Sequence, residues 1–545
     1  MAIPPFDFDW LVIGSGFGGS VSALRLAEKG YRVGVFERGR RFRDQDLPES
    51  TWQLHKFLWA PAIGLRGIMR MKVFRHVFFP SQSGVGGGST VYGGVLYRAR
   101  PEFFVNPQWR RLGDWEQLLA RHYDTAERML GATTVPFDST NQQLAREMAR
   151  HFGHPDGFAR SPTAVFFGEP GKTVKDPYFG GAGPDRTGCT RCGACMVGCR
   201  VGAANSLVKN YLWFAEKRGV RILAEREVVD IRPLGAADGS DGYLVTTERP
   251  GAWFARARRT HTARGIVFAA GALGTNELLA NCKLGGSLTR ISDRLGELVR
   301  TNSESVLNVR LPQDLKTWND VTASSSVHVD RNTHIEFLTY GRKADFMSLM
   351  YTVLVGDGNR WTRPLKWLAA IARHPLQWMK TLWPVGWSRR MVTLLVMQSL
   401  DNAIALRPRK RRLGRGYQLV TEQDGAKPNP TYIEVANQAA QWLARRTGGI
   451  AQSNVLEALA DIPTTAHVLG GAVVGADAAS GVIDRHLRVF GYQNMLVCDG
   501  AAMPANPGVN PALTITALAE YAMAHIPEST PGRTAQRAGA SETTR

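Results

Sequence analysis

The first apolar run, Asp9–Ile13 (DWLVI), is short and nearly continuous, the pattern of a buried strand. Behind it, Val21, Leu24 and Ala27 recur at helical spacing within Ser20–Lys29. Gly30 then stands where a left-handed helix cap is common. A second apolar run, Arg32–Phe36, predicts another strand and ends on Glu37. Farther along, Arg221–Arg232, Tyr243–Glu248 and Arg256–Thr262 read as an antiparallel meander with a Gly/Asp turn at Ala236–Gly242. Thr333–Gly341 (THIEFLTYG) alternates, with His334, Glu336 and Leu338 on one face and Ile335 and Phe337 on the other. Pro364, Pro375 and Pro384 divide Arg360–Arg390 into short helices. No run of about 20 uncharged apolar residues is present, so no membrane-spanning helix is expected.

Between the first strand and the first helix lies Gly14-Ser-Gly16-Phe-Gly-Gly19, a G-x-G-x-x-G turn. Gly14 permits the tight turn, Gly16 lets backbone approach a pyrophosphate, and Gly19 lets helix and strand pack closely. The helix N-terminus adds free N–H groups and a positive dipole end. Glu37 falls 23 residues after Gly14, placed to accept from ribose hydroxyls. Strand, turn, helix, second strand and acid are all in register, which points to a bound dinucleotide. The Glu37-Arg38-Gly39 ending favours FAD over NAD. So does Ser83–Tyr97 (SGVGGGSTVYGGVLY), whose six glycines let bare backbone wrap a large planar cofactor.

The expected fold class is α/β (α+β overall). A discontinuous Rossmann-type FAD-binding domain is assigned to 1–50, 78–125, 200–290 and 460–526. A substrate or cap domain with an antiparallel sheet and helices takes 51–77, 126–199 and 291–459. Residues 527–545 are polar and expected to be disordered. The length, 545 residues, agrees with more than one core. A formal net charge of +20 bears on partners rather than fold. Nucleic acid is set aside, because no nucleic-acid-binding motif accompanies the basic stretches.

These stretches together resemble the glucose–methanol–choline (GMC) oxidoreductases, and within them the bacterial cholesterol oxidase-like branch. The resemblance runs along nearly the whole chain. Gly84–Ser89 (GVGGGS) is similar to the second flavin signature, and Gly265–Thr275 (GIVFAAGALGT) to the strand and turn that close on FAD. The most specific part is His467-Val-Leu-Gly-Gly471, then Val497-Cys-Asp499-Gly500, then Asn506-Pro-Gly-Val-Asn510-Pro511. The resemblance implies that FAD is held by Gly14, Gly16, Phe17, Gly18, Gly19, Glu37, Arg38, Gly86, Gly87, Gly88, Ser89, Val228, Ala270, Gly271, Asp499, Gly500, Asn510 and Pro511. It departs from the pattern at Tyr92, where secreted sterol oxidases carry Asn, and at Val468, where they carry Pro.

Alcohol oxidation needs a group that takes or orients the hydroxyl proton while hydride leaves for flavin N5, and an imidazole suits this at neutral pH. His467 precedes a glycine pair that would let a flavin edge come close, and Asn510 offers an amide to the substrate oxygen. The resemblance places both beside the isoalloxazine ring. It also suggests Glu336 as the base that moves a proton when a steroid double bond is isomerised. The expected reaction is oxidation of a lipophilic secondary alcohol, foremost a sterol 3β-hydroxyl to the 3-ketone, with Δ5 to Δ4 isomerisation. A long-chain or other lipophilic alcohol is the second reading. A membrane-bound flavin/iron–sulfur electron-transfer protein is the third. The electron acceptor, O2 or another, depends on access and is left open.

Six cysteines occur, and four form Cys189-x2-Cys192-x2-Cys195-x3-Cys199, a ferredoxin-type spacing. No second such run exists, and Arg200 stands where proline is usual. An iron–sulfur cluster, a zinc ion, and free or locally bridged thiols are the readings. The spread is not that of a secreted disulfide framework. The N-terminus lacks the basic start and apolar core of a signal peptide. A cytoplasmic protein able to sit peripherally on a membrane is therefore expected. Its membrane-facing segment would be 360–390, with seven Lys or Arg, no Asp or Glu, and Trp361, Trp367, Trp378, Trp383 and Trp387.

Overall fold

The computed structural model describes residues 6–412 and 416–530. Phe8–Ile13 sits within a seven-stranded sheet, buried along its whole length. Val33–Phe36 lies parallel to it on one side, and the second half of Arg259–Phe268 lies parallel on the other. Met495–Val497 then adds to Arg259–Phe268, again in parallel. Ile13, Phe36, Phe268 and Val497 are thus in register at one edge of the sheet. The loops that follow these strands emerge side by side there, the place where open parallel sheets bind ligands.

The meander is partly redrawn. Arg221–Arg232 is not one strand. Glu225 takes a left-handed backbone (φ 55), held because the Glu225 and Arg226 amides donate to the Gly39 and Glu37 carbonyls. Arg221–Leu223 therefore joins the parallel side beside Val33–Phe36, and only Glu227–Pro233 enters the meander. In contrast, Arg259–Phe268 is a single ten-residue strand. Its first half pairs antiparallel with Tyr243–Glu248 and its second half parallel with Phe8–Ile13. The first helix, Phe17–Glu28, starts three residues earlier than its apolar spacing predicts, and Gly30 (φ 84) takes the left-handed conformation.

The second sheet is antiparallel throughout, in the order 351–353, 450–454, 305–310, 391–398, 333–338, 323–328, 158–160. Thr333–Leu338 is an interior strand, which settles its alternation. Ile335 and Phe337 pack against the helices Thr140–His151 and Glu434–Thr447. His334 and Glu336 point to the opposite face and are fully buried there. The two α/β and antiparallel layers give the expected fold class.

Three details of the tryptophan-rich segment differ from the sequence reading. Pro364 does not break a helix; it occupies the first turn of Thr362–Arg373, where its missing N–H has no partner to lose. Trp387 is fully buried, stacked on Tyr351 at 5.7 Å between centroids. Arg363 is fully buried too, against Glu457 and Asp461 at 3.7 and 3.4 Å. Neither side chain can face a lipid surface. At the C-terminus, the Ser529 amide donates to the Lys29 carbonyl, and the Tyr31 hydroxyl to that of Pro527. The rest of the expected disordered tail, 531–545, lies outside the described residues. Among those described, no helix is long and apolar enough to cross a membrane.

Candidate active site

The glycines of the first turn have unlike surroundings. A Cβ at Gly14 would overlap the Ala269 carbonyl oxygen, one at Gly18 that of Cys498, and one at Gly19 that of Gly14. These three let the turn, the helix and the late strand close on one another. Gly16 is different: a Cβ there would meet nothing within 4 Å. The turn is packed everywhere except at Gly16, which leaves the approach that a pyrophosphate requires.

Neighbouring segments hold this turn in place. Glu37 accepts from the Ser15 hydroxyl at 2.7 Å, the Ser15 amide at 3.2 Å and the Gly39 amide at 2.8 Å. The Ser15 hydroxyl in turn accepts from the Gly86 amide at 3.1 Å. Gly87 lies against the Gly16 backbone, and Ser89 donates to the Gly86 carbonyl. Arg38 donates to Ser83, and Val228 is the second residue of the strand Glu227–Pro233, which follows the Arg226 amide bonded to the Glu37 carbonyl. Asp499 accepts from the Gly271 amide at 2.9 Å, the Ala501 amide at 2.8 Å and the Thr275 hydroxyl at 2.5 Å. Burial pushes its carboxyl up to about 6, against the pull of those donors. Ala270 and Gly500 lie in the same two turns. The sequence-derived set therefore converges on one edge of the parallel sheet.

A second cluster forms where the antiparallel sheet meets the late loops carrying His467 and Asn510. The His467 imidazole is bound through Nδ1 to Glu304, a residue that the sequence reading missed. Glu304 also accepts from the Thr465 hydroxyl, the Ala466 amide and the Asn302 side chain at 2.9, 2.6 and 3.2 Å. Glu304 is an acceptor to its other partners, so in the neutral imidazole the tautomer that suits it has the hydrogen on Nδ1 and the lone pair on Nε2. Asn302 (φ 57) and Ser303 (φ 46) are consecutive left-handed residues that turn Glu304 inward. Asn302 also ties the late loop down, donating to the Val509 carbonyl and accepting from the Gly508 amide.

That loop carries Asn510. Its amide donates to Glu336 at 3.4 Å, and its Oδ1 is buried without a partner. Pro511 follows, and the helix Ala512–Ala524 begins there, with its positive dipole end at the site. Glu336 is fully buried, and burial pushes its carboxyl up to about 8. The Asn510 hydrogen bond and His467 oppose that rise, and Glu304 adds to it. Behind Glu336, its Oε1 meets His334 Nε2 at 3.2 Å, and His334 Nδ1 meets His328 Nε2 at 3.4 Å. Burial holds both imidazoles down to about 3, so they are neutral. His467, Asn510 and Glu336 are brought together. The signal for Glu304 in the sequence is faint: Thr301-Asn-Ser-Glu304, a polar run between two apolar strands, buried throughout.

The four clustered cysteines line one small cavity and are not bonded to one another. Tyr92 lies between them and the nucleotide turn. Its ring meets Phe17 edge-on at 5.2 Å, and its buried hydroxyl has no partner.

A sequence model described as GMC oxidoreductase matches residues 418–519, and one described as FAD dependent oxidoreductase matches 9–384. The chain is 45% identical to a cholesterol oxidase of Mycobacterium tuberculosis over 530 residues, covering 95% of this chain and 90% of that one. It is 43% identical to a cholesterol oxidase of Acinetobacter baumannii over 533 residues, covering 97% and 96%. Among solved structures, pyridoxine 4-oxidase from Mesorbium loti superposes with a TM-score of 0.60 at 15% identity, covering 95% of this chain and 99% of that one.

Proposed function

The chain belongs to the FAD-dependent GMC oxidoreductases, and from that premise we propose that it oxidises the 3β-hydroxyl of a sterol to the 3-ketone and isomerises the Δ5 double bond to Δ4. The observation that carries this reading is one buried cluster holding two distinct proton-handling groups. His467 presents a free Nε2, and Glu336 is a carboxyl that burial pushes up to about 8. A simple alcohol oxidation needs only the first. The 43–45% identity to two cholesterol oxidases supports the substrate class.

FAD supplies the hydride acceptor. The open approach at Gly16 fits its pyrophosphate, with Gly14, Phe17, Gly18 and Gly19 forming the turn around it. Glu37 keeps acceptor capacity beyond its three donors, enough for ribose hydroxyls. Gly86–Ser89, Ala270–Gly271, Asp499–Gly500 and Asn510–Pro511 would line the rest.

His467 Nε2 takes the substrate hydroxyl proton as hydride leaves the carbinol carbon. Glu304 holds the imidazole in the required tautomer and stabilises the positive charge that forms on it. The Asn510 NH2 has a second hydrogen beyond the one directed at Glu336, free to donate to the hydroxyl oxygen and fix its direction while the hydroxyl's own hydrogen goes to His467. For isomerisation, ionised Glu336 removes a proton from the carbon between the ketone and the double bond. It returns that proton at the far end of the allylic system. A carboxyl near 8 suits both halves, because it gains and loses a proton at similar cost around neutral pH.

Supply of so apolar a substrate points to a bilayer. Trp361, Leu365, Leu368, Leu376, Met379 and Trp383 are exposed on adjoining helices, Trp361 at 80% and Leu376 at 71%. Arg373, Lys380 and Arg389 are exposed among them, and Lys366 is exposed but paired with Asp357 at 2.6 Å. Rings and aliphatic groups at headgroup depth, with cations meeting anionic lipid, form a peripheral contact. The strand Ser305–Arg310 links this patch to the site. Glu304 precedes one end, and Arg310 at the other donates to the Trp383 carbonyl at 2.8 Å. Six residues of strand span roughly 20 Å.

The experiment is product identification. Purified flavoprotein incubated with a Δ5-3β-hydroxysteroid is expected to yield the conjugated 4-en-3-one. Turnover of long-chain primary alcohols with no steroid turnover would overturn the reading.

A further inference from the structure

Cys189, Cys192, Cys195 and Cys199 are not used by the oxidation or the isomerisation, yet all four surround one cavity. The remaining wall is mostly apolar, including Val165 and Ala203. Cys195 lies within electrostatic reach of the other three sulfurs and Cys189 within reach of Cys192 and Cys199, and no disulfide joins any pair. The loop is bent to make this possible: Arg191 (φ 54) and Gly193 (φ 70) are left-handed between the ligand positions.

Backbone donors aim at the sulfurs. The Arg191 amide donates to Cys189 Sγ at 3.4 Å, and the Thr322 amide reaches Cys195. Amide donors stabilise a thiolate, and a buried thiolate needs a cation beside it.

We propose that Cys189, Cys192, Cys195 and Cys199 together ligate one iron–sulfur cluster of the four-iron type. The spacing is that of ferredoxins, in which the fourth cysteine of a run serves the other cluster of a pair. Here Cys199 lines the same cavity as the other three, so one run supplies all four ligands. Zinc is a poorer occupant. Among the described residues no three such ligands gather closely enough to share a single ion, whereas zinc draws four to about 2.3 Å. A cluster accepts thiolates set farther apart. The cavity also adjoins the nucleotide site: Cys195 acts electrostatically on the buried Tyr92 hydroxyl, and the Tyr92 ring packs against Phe17. The site stands apart from the sterol reading, since none of its residues touches His467, Asn510 or Glu336.

The test uses the full chain, purified without air and reconstituted with ferrous iron and sulfide. About four irons and four sulfides per chain are expected, with broad visible absorbance beyond the flavin bands that dithionite bleaches. Cys195→Ser/Cys199→Ser is expected to lose the iron and keep its FAD. FAD content and a melting curve report whether that variant is folded; if it is not, the iron and sulfide content of the unaltered chain decides alone. Reconstituted protein without iron, with stoichiometric zinc instead, or with metal-free disulfides would overturn the proposal, as would iron retained by the folded double variant. Flavin reduction by sterol is read separately, so failure here leaves the sterol reading untouched.

Discussion

His467 Nδ1 is hydrogen-bonded to the carboxylate of Glu304, which accepts from three further donors and has a fully buried side chain. The imidazole is thereby fixed with Nε2 as its free base. Replacing His467 with Ala is expected to lower kcat at least about a hundredfold, the usual scale for a positioned acid–base group. Glu304→Gln keeps the shape, but its NH2 can donate to Nδ1 and reverse the tautomer. A loss of similar size, about a hundredfold or more, is expected, with flavin content unchanged and Glu304→Asp recovering part of the rate. Near-normal turnover of Glu304→Gln would remove the carboxylate from the mechanism.

Glu336 should separate the two reactions. Glu336→Gln is expected to oxidise a Δ5-3β-hydroxysteroid and release the unconjugated Δ5-3-ketone, because the amide cannot shuttle the proton. In the unaltered enzyme the share of unconjugated ketone should rise as pH falls below about 8, where the carboxyl becomes protonated. Chromatography of products against pH reads both effects. Exclusive formation of the 4-en-3-one by the variant would show that another group moves the proton.

The same carboxyl makes a prediction about stability. Its folded value, about 8, lies above the ordinary 4.5, so the folded chain binds more protons than the unfolded one between these limits. The contribution of Glu336 to stability is therefore fully present below about pH 4.5 and is lost as pH rises through about 8. Glu336→Gln buries no charge at any pH. Its melting temperature should exceed that of the unaltered chain at pH 9, with the gap closing toward pH 5. A gap independent of pH would contradict the burial argument.

Two glycines of one turn should fail differently. Gly16→Val leaves the fold intact, since nothing lies within 4 Å of its Cβ, and abolishes FAD binding by filling the pyrophosphate approach. Gly14→Ala forces a left-handed residue (φ 99) to carry a Cβ into the Ala269 carbonyl, so the fold itself should suffer. Circular dichroism and flavin content on both variants distinguish these outcomes. A flavin-replete Gly16→Val would end the assignment of the turn.

Where local chemistry decides structure, the sequence was informative. The Gly14–Glu37 unit and the alternation of Thr333–Leu338 are written in short spacings, and both elements form there, the first helix starting three residues early. What escaped depends on distant contacts. Arg221–Arg232 is split by amides bonded to the Gly39 and Glu37 carbonyls, almost two hundred positions earlier. Trp387 and Arg363 carry the same composition as their exposed neighbours, and only Tyr351 and Glu457 make them interior. Glu304 meets His467 only when the chain returns 163 residues later.

Those burial differences define the membrane test. Replacing Trp361, Leu365, Leu376 and Trp383 with Ser touches exposed side chains only, so the melting temperature should hold. Binding to anionic vesicles should fall, and turnover of vesicle-held sterol should drop far more than turnover of a soluble short-chain steroid. Binding by the unaltered protein should weaken with salt without vanishing, because screening acts on the cations and not on the apolar groups. Equal loss on both substrates with a lowered melting temperature would contradict a docking role.

The central claim, that a sterol hydroxyl is the electron donor, is met most directly by mixing the purified flavoprotein with a Δ5-3β-hydroxysteroid in the absence of air. The oxidised flavin bands should bleach within the time of one turnover, with one steroid ketone formed per flavin, and His467→Ala should slow the bleaching at least about a hundredfold. Flavin that stays oxidised in excess steroid, while a long-chain primary alcohol bleaches it, would contradict the account.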